Sequence, residues 1–340
     1  MLFRLSYLLS LALGLCPAIT SAQVDSCRNV SHYKIIALPL HPVRINFAGE
    51  ILGTVTLHEH DEEDGSVAIW SPVGDLRKLA IPAGFDHAEP IGFSDSSDVA
   101  GQVHDASGKA RAFSYIHGKF QLLPDSPSKA KAINRHMQIA VEKFPGGLFL
   151  WNETGLSPLG GCCGGHAFAI NGQDQIAGEL NDREGHYNAF VWDAKNGVQP
   201  ILPPGARSST ALGINNAGHV LVQAFSPNQI FLRENDKLTP VDLSPEFASQ
   251  PLALNDCDVI VGEYGAASEY YHAFVWDKKN GFRDLNTLID KSEGWNLDQA
   301  VDINDRGEIV GIGDHQNVSD VGFLLVPNEK PEITITKETK

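Results

Sequence analysis

Residues 251–285 read PLALNDCDVIVGEYGAASEYYHAFVWDKKNGFRDL, and this stretch predicts the fold. It contains four short apolar runs separated by polar turns. The first run ends at Asn255 and leads into a tight turn, in which Asn and Asp tolerate a positive φ. The second run closes on Gly262, the third carries Phe274 and Trp276, and the fourth follows a glycine turn. Runs of this length and composition indicate four β-strands joined by hairpins.

The same pattern recurs along the chain. Each copy has an apolar anchor at the end of its first run, at Ile45, Phe93, Ile133, Ile170, Ile214, Leu254 and Ile303. The anchors are 37 to 49 residues apart, with a mean spacing of 43. In the third run, four copies place a tryptophan at one common position, namely Trp70, Trp151, Trp192 and Trp276. We interpret these aromatic residues as packing between repeats and not as a cofactor site.

Four strands per repeat and seven repeats predict an all-β protein, a seven-bladed β-propeller of four-stranded blades. Six or eight blades remain alternatives if a weak copy is miscounted. The seventh copy stops after its third strand, while an unassigned strand, YKIIAL, precedes the first copy at residues 33–38. We therefore expect the N-terminal strand to complete the last blade and close the ring, which leaves no long exposed edge.

These residues resemble the bacterial extracellular HAF-repeat family, named for its His-Ala-Phe motif. The match is carried by His272-Ala273-Phe274-Val275-Trp276, by the preceding LND and VIVG segments, and by INDRGEIVG at residues 303–311. The resemblance covers residues 33–326 and is strongest in the fourth, sixth and seventh copies. It implies an exported, propeller-like protein, and the family brings no agreed activity and no catalytic residues.

The first 22 residues predict a signal peptide, with Arg4 before an apolar stretch and Thr20-Ser21-Ala22 as a small-residue cleavage site. We expect an N-terminal segment at 23–32, a single propeller at 33–326, a loose polar tail at 327–340, and a secreted or periplasmic location. The formal net charge of −16 argues against nucleic-acid binding. No later stretch has the roughly 18 apolar residues of a membrane span.

Propeller geometry sorts the polar residues between two ends of the ring. Nine of the thirteen histidines fall in connections that emerge at the end where propellers usually bind ligands. Tyrosine and charged residues share that end, and aromatic rims suit stacking on sugars or peptides. The candidate ligand-binding residues are His87, His186, Tyr187, Arg207 and Tyr271. Ordinary loop polarity is the alternative interpretation for each of them.

The sharpest local motif is the acidic loop His58-Glu59-His60-Asp61-Glu62-Glu63-Asp64. Imidazoles two residues apart on an extended segment point the same way, and the carboxylates add oxygen ligands. His58, His60 and Asp61 are therefore the candidate ligands of a divalent cation, and a solvated loop is the alternative.

Removal of the signal peptide leaves four cysteines, which allow three pairings in an oxidising compartment. Sorting them by end of the ring favours Cys27–Cys257 and the vicinal pair Cys162–Cys163. Free thiols or a crossed pairing are the competing possibilities.

The sequence points to an exported, monomeric module that binds a glycan, peptide or protein, without an assignable reaction. The alternative is a metal-assisted hydrolase or lyase with its site at the channel mouth. A purely structural surface protein is a third interpretation.

Overall fold

The computed structural model describes residues 30–55, 65–124, 128–143, 146–160, 164–244, 248–265 and 271–328. The N-terminal half of this part contains the strands β1 (Tyr33–Ala37), β2 (Leu40–Ile45), β3 (Ile51–Val55), β4 (Val67–Trp70), β5 (Leu76–Lys78), β6 (His87–Phe93), β7 (Val99–His104), β8 (Ala110–Ile116), β9 (Lys119–Leu122), β10 (Ser128–Ile133), β11 (Ile139–Lys143), β12 (Gly147–Asn152) and β13 (Gly155–Pro158).

The C-terminal half contains the strands β14 (Gly165–Ile170), β15 (Ile176–Asn181), β16 (Tyr187–Asp193), β17 (Gly197–Ile201), β18 (Ser208–Ile214), β19 (Val220–Phe225), β20 (Gln229–Glu234), β21 (Lys237–Val241), β22 (Ala248–Leu254), β23 (Ile260–Gly265), β24 (His272–Asp277), β25 (Gly281–Asp284), β26 (Trp295–Ile303), β27 (Ile309–His315) and β28 (Val318–Pro327). Two single-turn 3-10 helices, Leu285–Thr287 and Lys291–Glu293, join β25 to β26.

The strands form seven antiparallel four-stranded sheets, which confirms the seven-bladed propeller. Blades one to six are consecutive meanders that begin with β2, β6, β10, β14, β18 and β22. Blade seven has the order β1-β28-β27-β26, in which Tyr33 pairs with Pro327 and Ala37 pairs with Phe323. The predicted closure by the N-terminal strand is therefore confirmed.

The seven predicted anchors all lie at the last residue of a first strand, where they surround a central channel. We call the end that carries the first-to-second and third-to-fourth hairpins the turn end. The opposite end, with the second-to-third and fourth-to-first connections, is the loop end. Every first-to-second turn has a residue with positive φ at the same position, which explains its composition: Gly49, Ser97, Met137, Asp174, Gly218, Asp258 and Gly307.

The core lies between the blades. The buried apolar residues of the described chain form seven clusters, and each cluster joins two neighbouring blades. Trp151 packs at the interface of blades two and three, and Trp276 packs at that of blades five and six. The repeated tryptophans are therefore interblade core residues, as predicted. Within the described residues, no helix combines the length and apolarity needed to cross a membrane.

Candidate functional site

The loop end carries paired aromatic and imidazole rings in four blades. In blade two, His87 and His104 face each other across β6 and β7, and their rings stack with centroids 4.5 Å apart. In blade four, His166 stacks with Tyr187 at 5.9 Å. The His87–His104 pair arises because facing residues of paired strands come close together, whereas His166 and Tyr187 lie on β14 and β16, on either side of β15.

Blades six and seven hold the other two pairs. Tyr264 and His272 are register partners on β23 and β24, with ring centroids 5.6 Å apart. Trp295 and His315 are register partners on β26 and β27, and their rings are nearly parallel at 4.3 Å. All four side chains are held by regular strands, so the rings are positioned by the sheet and not by loop conformation.

The blade-six pair belongs to a hydrogen-bonded group. The Tyr264 hydroxyl donates to Asp284 Oδ2 at 3.0 Å, and His272 Nδ1 lies 3.4 Å from the same oxygen. Burial, together with the neighbouring Asp284 carboxylate, raises the pKa of Tyr264 above its ordinary value. The hydroxyl therefore stays protonated and acts as a donor at neutral pH.

Blade seven adds carboxylates to this region. Asp298 lies at a bulge of β26, where Asn296 Nδ2 donates to Asp298 Oδ1 at 2.7 Å. Burial, together with the charges of Asp314 and Asp320, raises the pKa of Asp298 to about 6, and His272 opposes this shift. The carboxyl group of Asp298 therefore changes its charge within the range in which a general acid or base operates.

Blades six and seven are joined next to these groups. Asn286 Oδ1 accepts from the Leu297 amide at 2.7 Å, and Asn286 Nδ2 donates to the Leu297 carbonyl at 3.0 Å. This bidentate contact holds the two ring pairs side by side. We name the resulting surface the six–seven surface and define it by Tyr264, His272, Trp295, Asp298, Asp314, His315 and Asp320.

The central channel forms a second polar region. A cavity of about 240 Å³ at the turn end is lined by the seven anchors and by the turn residues that follow them. Asp95, Asp256 and Asp305 lie at this mouth, together with Arg135. Burial raises the pKa of Asp305 to about 6, and the Asp256 and Asp95 charges act in the same direction. A deeper cavity of about 180 Å³ contains Arg44, Lys131 and Asp302.

The predicted ligand-binding residues lie in four different blades. His87 belongs to blade two, whereas His186 and Tyr187 belong to blade four, where His186 Nδ1 lies 3.5 Å from Asp182 Oδ2. Arg207 precedes β18 in blade five and is exposed, and Tyr271 precedes β24 in blade six and is also exposed. These residues lie around the rim of the loop end, in four separate local environments.

Two other predicted sets fall on different parts of the chain. The metal ligands His58, His60 and Asp61 lie outside the described residues, as do Cys27, Cys162 and Cys163. Cys257 is described in the first-to-second turn of blade six and is disulfide-bonded. Its pairing with Cys27 stays a prediction.

Sequence reasoning did not find the carboxylates that complete these groups. Glu89 lies beside His87 and His104, and Asp298 lies beside Asp314. The placement of Glu89 two residues after His87 on one strand was an available signal, because alternate residues share a face. For Asp298 the sequence offers no such signal, because a bulge in β26 determines where its side chain lies.

Comparisons with known proteins agree on the architecture. No family model matches the chain, and no curated protein matches it. Among solved structures, a catalytically inactive virginiamycin B lyase from Staphylococcus aureus with quinupristin has a TM-score of 0.57 at 11% identity, over 86% of this chain and 99% of that one. A streptogramin B lyase gives 0.58 at 11% identity, over 88% of this chain and 100% of that one.

Other similar structures are not described as enzymes. YCF48 bound to D1 peptide has a TM-score of 0.54 at 11% identity, over 90% of this chain and 98% of that one. A chain of a mitotic checkpoint complex gives 0.54 at 12% identity, over 95% of this chain and 99% of that one. Identities this low establish the shared fold alone, and the chain is accordingly a β-propeller whose fold serves both binding proteins and lyases.

Proposed function

We propose that this protein is an exported binding module whose loop end captures a positively charged peptide segment of a partner. The observation that carries the proposal is the six–seven surface, where two ring pairs on regular strands stand beside a group of carboxylates. Aromatic faces supply contact area at low entropic cost because they have few rotatable bonds. The carboxylates supply charge complementarity for Lys and Arg side chains.

The electrostatics favour a basic partner. The charges of Asp314 and Asp320 raise the pKa of Asp298, so the three carboxylates lie in one electrostatic field. The whole chain adds a net charge of −16, which attracts cationic partners over a longer range. A bound Lys or Arg side chain relieves the repulsion between these carboxylates, so the free energy of binding includes that relief.

Two further observations support the proposal. A propeller of the same fold is known in a complex with a D1 peptide, so this architecture can present a peptide-binding face. The signal-like first 22 residues and the resemblance to the HAF-repeat family support export. A glycan is the competing ligand, because stacked rings beside carboxylates also suit sugar rings and their hydroxyl groups.

The test measures binding of two pools of synthetic hexapeptides, one rich in Lys and Arg and the other rich in Asp and Glu. We expect the mature protein to retain the basic pool in physiological salt. Trp295→Ala, and separately Asp314→Asn combined with Asp320→Asn, should each weaken retention about tenfold or more, as expected for a hot-spot ring or a lost charge pair. Retention of soluble oligosaccharides in place of basic peptides would assign the surface to glycans.

The control variant makes the same charge change at the other end of the ring. Asp75 and Glu153 are exposed and lie in third-to-fourth hairpins at the turn end. Asp75→Asn combined with Glu153→Gln should leave retention unchanged if the loop end carries the ligand. Equal loss in both double variants would instead indicate non-specific attraction to an acidic protein and would contradict the proposal.

Binding should also depend on pH. Because the Asp298 pKa is raised to about 6, this carboxyl gains a proton and loses its charge as the pH falls from 7 to 5. We expect affinity for the basic pool to fall across that interval and the Asp298→Asn variant to show a flatter profile. A profile that is identical in the two proteins would exclude a role for Asp298.

A second candidate function is enzymatic: the protein would cleave a bound ligand as a hydrolase or a lyase. The observation that favours it is the Asp298 carboxyl, which titrates near pH 6 beside His272 and can exchange a proton with a substrate. Intact-mass analysis of the retained peptides separates the two functions. Unchanged masses after prolonged incubation support a binding module, whereas fragments that disappear in Asp298→Asn support an enzyme.

A further inference from the structure

Blade two contains a second group at the loop end, which the proposed function does not use. His87 and Glu89 lie on β6, and His104 lies at the end of β7. Glu89 Oε1 is 3.2 Å from His104 Nε2 and 3.9 Å from His87 Nε2. One donor atom from each residue can be chosen so that all three lie within 4.8 Å of one another.

The hydrogen bonding around this group leaves the three donor atoms available. Glu89 Oε2 accepts from Gln102 Nε2, so that Glu89 Oε1 is the oxygen that faces the two imidazoles. His104 Nε2 is buried and has no hydrogen-bond partner among the described residues. Although Glu89 Oε1 lies 3.2 Å away, the ring nitrogen makes no well-aligned hydrogen bond, and a bound cation between the two atoms would satisfy both of them.

We propose that His87, Glu89 and His104 bind a divalent transition-metal ion of the zinc class. Two imidazole nitrogens and one carboxylate oxygen are the donor types that zinc takes from proteins, and three protein ligands leave a fourth position for water. His87 and Glu89 are about half exposed, so the ion can enter from solvent and the fourth position faces outward. The site lies in blade two and is independent of the six–seven surface.

The distances suit a single ion. Two ligand atoms that each lie about 2.1 Å from an ion are about 3.4 Å apart at the tetrahedral angle and at most about 4.2 Å apart. Both distances from Glu89 Oε1 fall within that limit. The two imidazole rings are parallel and stacked, so their in-plane lone pairs do not converge in this conformation. Binding of a single ion therefore requires the exposed His87 ring to rotate out of the stack.

A second cluster of similar composition shows why this one is chosen. His219, Glu234 and Asp258 also place three donor atoms within 4.8 Å of one another. There, however, Lys278 Nζ already contacts both carboxylates, and His219 Nδ1 is hydrogen-bonded to Asp258 Oδ1 at 2.8 Å. An ammonium group occupies the place of the cation, so this cluster is complete without a metal. It supplies a matched control for the experiment.

The experiment titrates the chelator-treated mature protein with Zn²⁺ by calorimetry and with Co²⁺ by visible absorption. We expect a site of one-to-one stoichiometry with an affinity that falls at least tenfold in His104→Ala and in Glu89→Gln. Glu89→Gln keeps the shape of the side chain, so it removes the anionic ligand without creating a cavity. Thermal unfolding of each variant, measured without metal, confirms that the blade is folded.

Two control variants make the outcome decisive. His219→Ala should leave the affinity unchanged, and so should His58→Ala combined with His60→Ala, which removes the imidazoles of the acidic loop. Unchanged affinity in the blade-two variants would overturn the proposal. Loss of binding in the loop variant, alone or together with the blade-two variants, would also overturn it, because three ligands in blade two would then not be the site.

Discussion

In six of the seven blades, the residue after the anchor is an asparagine whose side chain makes two kinds of hydrogen bond. In blade five, Asn215 Oδ1 accepts from the His219 amide and closes its own turn, while Asn215 Nδ2 donates to the Asn255 carbonyl of blade six at 3.1 Å. In the same way, Asn255 Nδ2 donates to the Asn304 carbonyl, and Asn304 Nδ2 donates to the Asn46 carbonyl. Each buried amide thus satisfies two neighbouring backbones, and the bonds run around the channel.

The circle of asparagines is interrupted at blade two, where Ser94 stands at this position. The Ser94 hydroxyl accepts from the Ser96 and Asp98 amides and so replaces the turn-closing role of asparagine. Its side chain is too short to make the second bond, toward the Asn134 carbonyl of blade three. The contact between blades two and three therefore lacks a hydrogen bond that five other contacts have at 3.1 Å or less, including those at Asn171 and Asn304.

Ser94→Asn should therefore stabilise the protein. One added interblade hydrogen bond contributes about 1 kcal/mol to the free energy of unfolding, and urea-induced unfolding would measure it as a higher midpoint with an unchanged slope. The reverse change at a complete position, Asn215→Ser, is the matched control and should lower the midpoint. A lower midpoint for Ser94→Asn would mean that the buried site cannot hold the longer side chain.

At the scale of the element, four of the seven blades share a contact between their second and third strands. Gly101, Gly178, Gly262 and Gly311 on the second strands are register partners of Phe113, Phe190, Phe274 and Phe323 on the third strands. All four phenylalanine side chains are almost fully buried. A Cβ atom on Gly262 would lie 2.1 Å from the Gln250 carbonyl oxygen and 2.9 Å from the Phe274 ring. Glycine therefore recurs because the first-strand carbonyl oxygen leaves no room for a Cβ atom, and at Gly101, Gly262 and Gly311 the phenylalanine ring also fills this space.

Gly262→Ala should destabilise the protein by about 3 kcal/mol, because a methyl group pressed against backbone separates the paired strands β22 and β23. Gly213→Ala is the control, since a Cβ there would meet only the Leu254 Cβ at 3.9 Å. Thermal unfolding of both variants measures the difference. Equal melting temperatures would show that β22 and β23 shift apart without cost.

Much of the strand arrangement can be predicted from the sequence because the same pattern is repeated in every blade. Ile45, Ile303 and the five anchors between them end first strands because every copy repeats the same apolar run and turn. The contacts within the candidate functional site are harder to predict from the sequence. The pairing of His87 with His104 depends on register, and the burial of Asp298 depends on a bulge and on a neighbouring blade. Such contacts between distant residues leave no periodic signal in the chain.

At the scale of the whole molecule, the ring is held by contacts between the two ends of the chain. Val30 precedes β1, and its carbonyl accepts from Arg283 Nη1 of blade six at 2.7 Å. Gly307, in the first-to-second turn of blade seven, lies against the Val30 side chain. Residues 30–32 therefore lie at the turn end beside blades six and seven. Cys27 is three residues before Val30, and Cys257 is in the adjacent turn of blade six.

We expect peptide mapping under non-reducing conditions to recover Cys27 linked to Cys257. A disulfide that closes a loop this long stabilises by about 3–5 kcal/mol, so Cys27→Ser should lower the urea midpoint markedly. Reductant should remove the difference between the variant and the parent protein. A fragment that links Cys257 to Cys162 or Cys163 would contradict the pairing.

The pairing of β1 with β28 has a consequence for biogenesis. A ribosome makes β1, the outer strand of blade seven, before blades one to six, and it makes the other three strands of blade seven after them. Earlier blades can form one after another, but the circle cannot be completed until β28 has been translated. A protein assembled in this way stays open until its last strand is made, so completion of the ring is a single late step in folding.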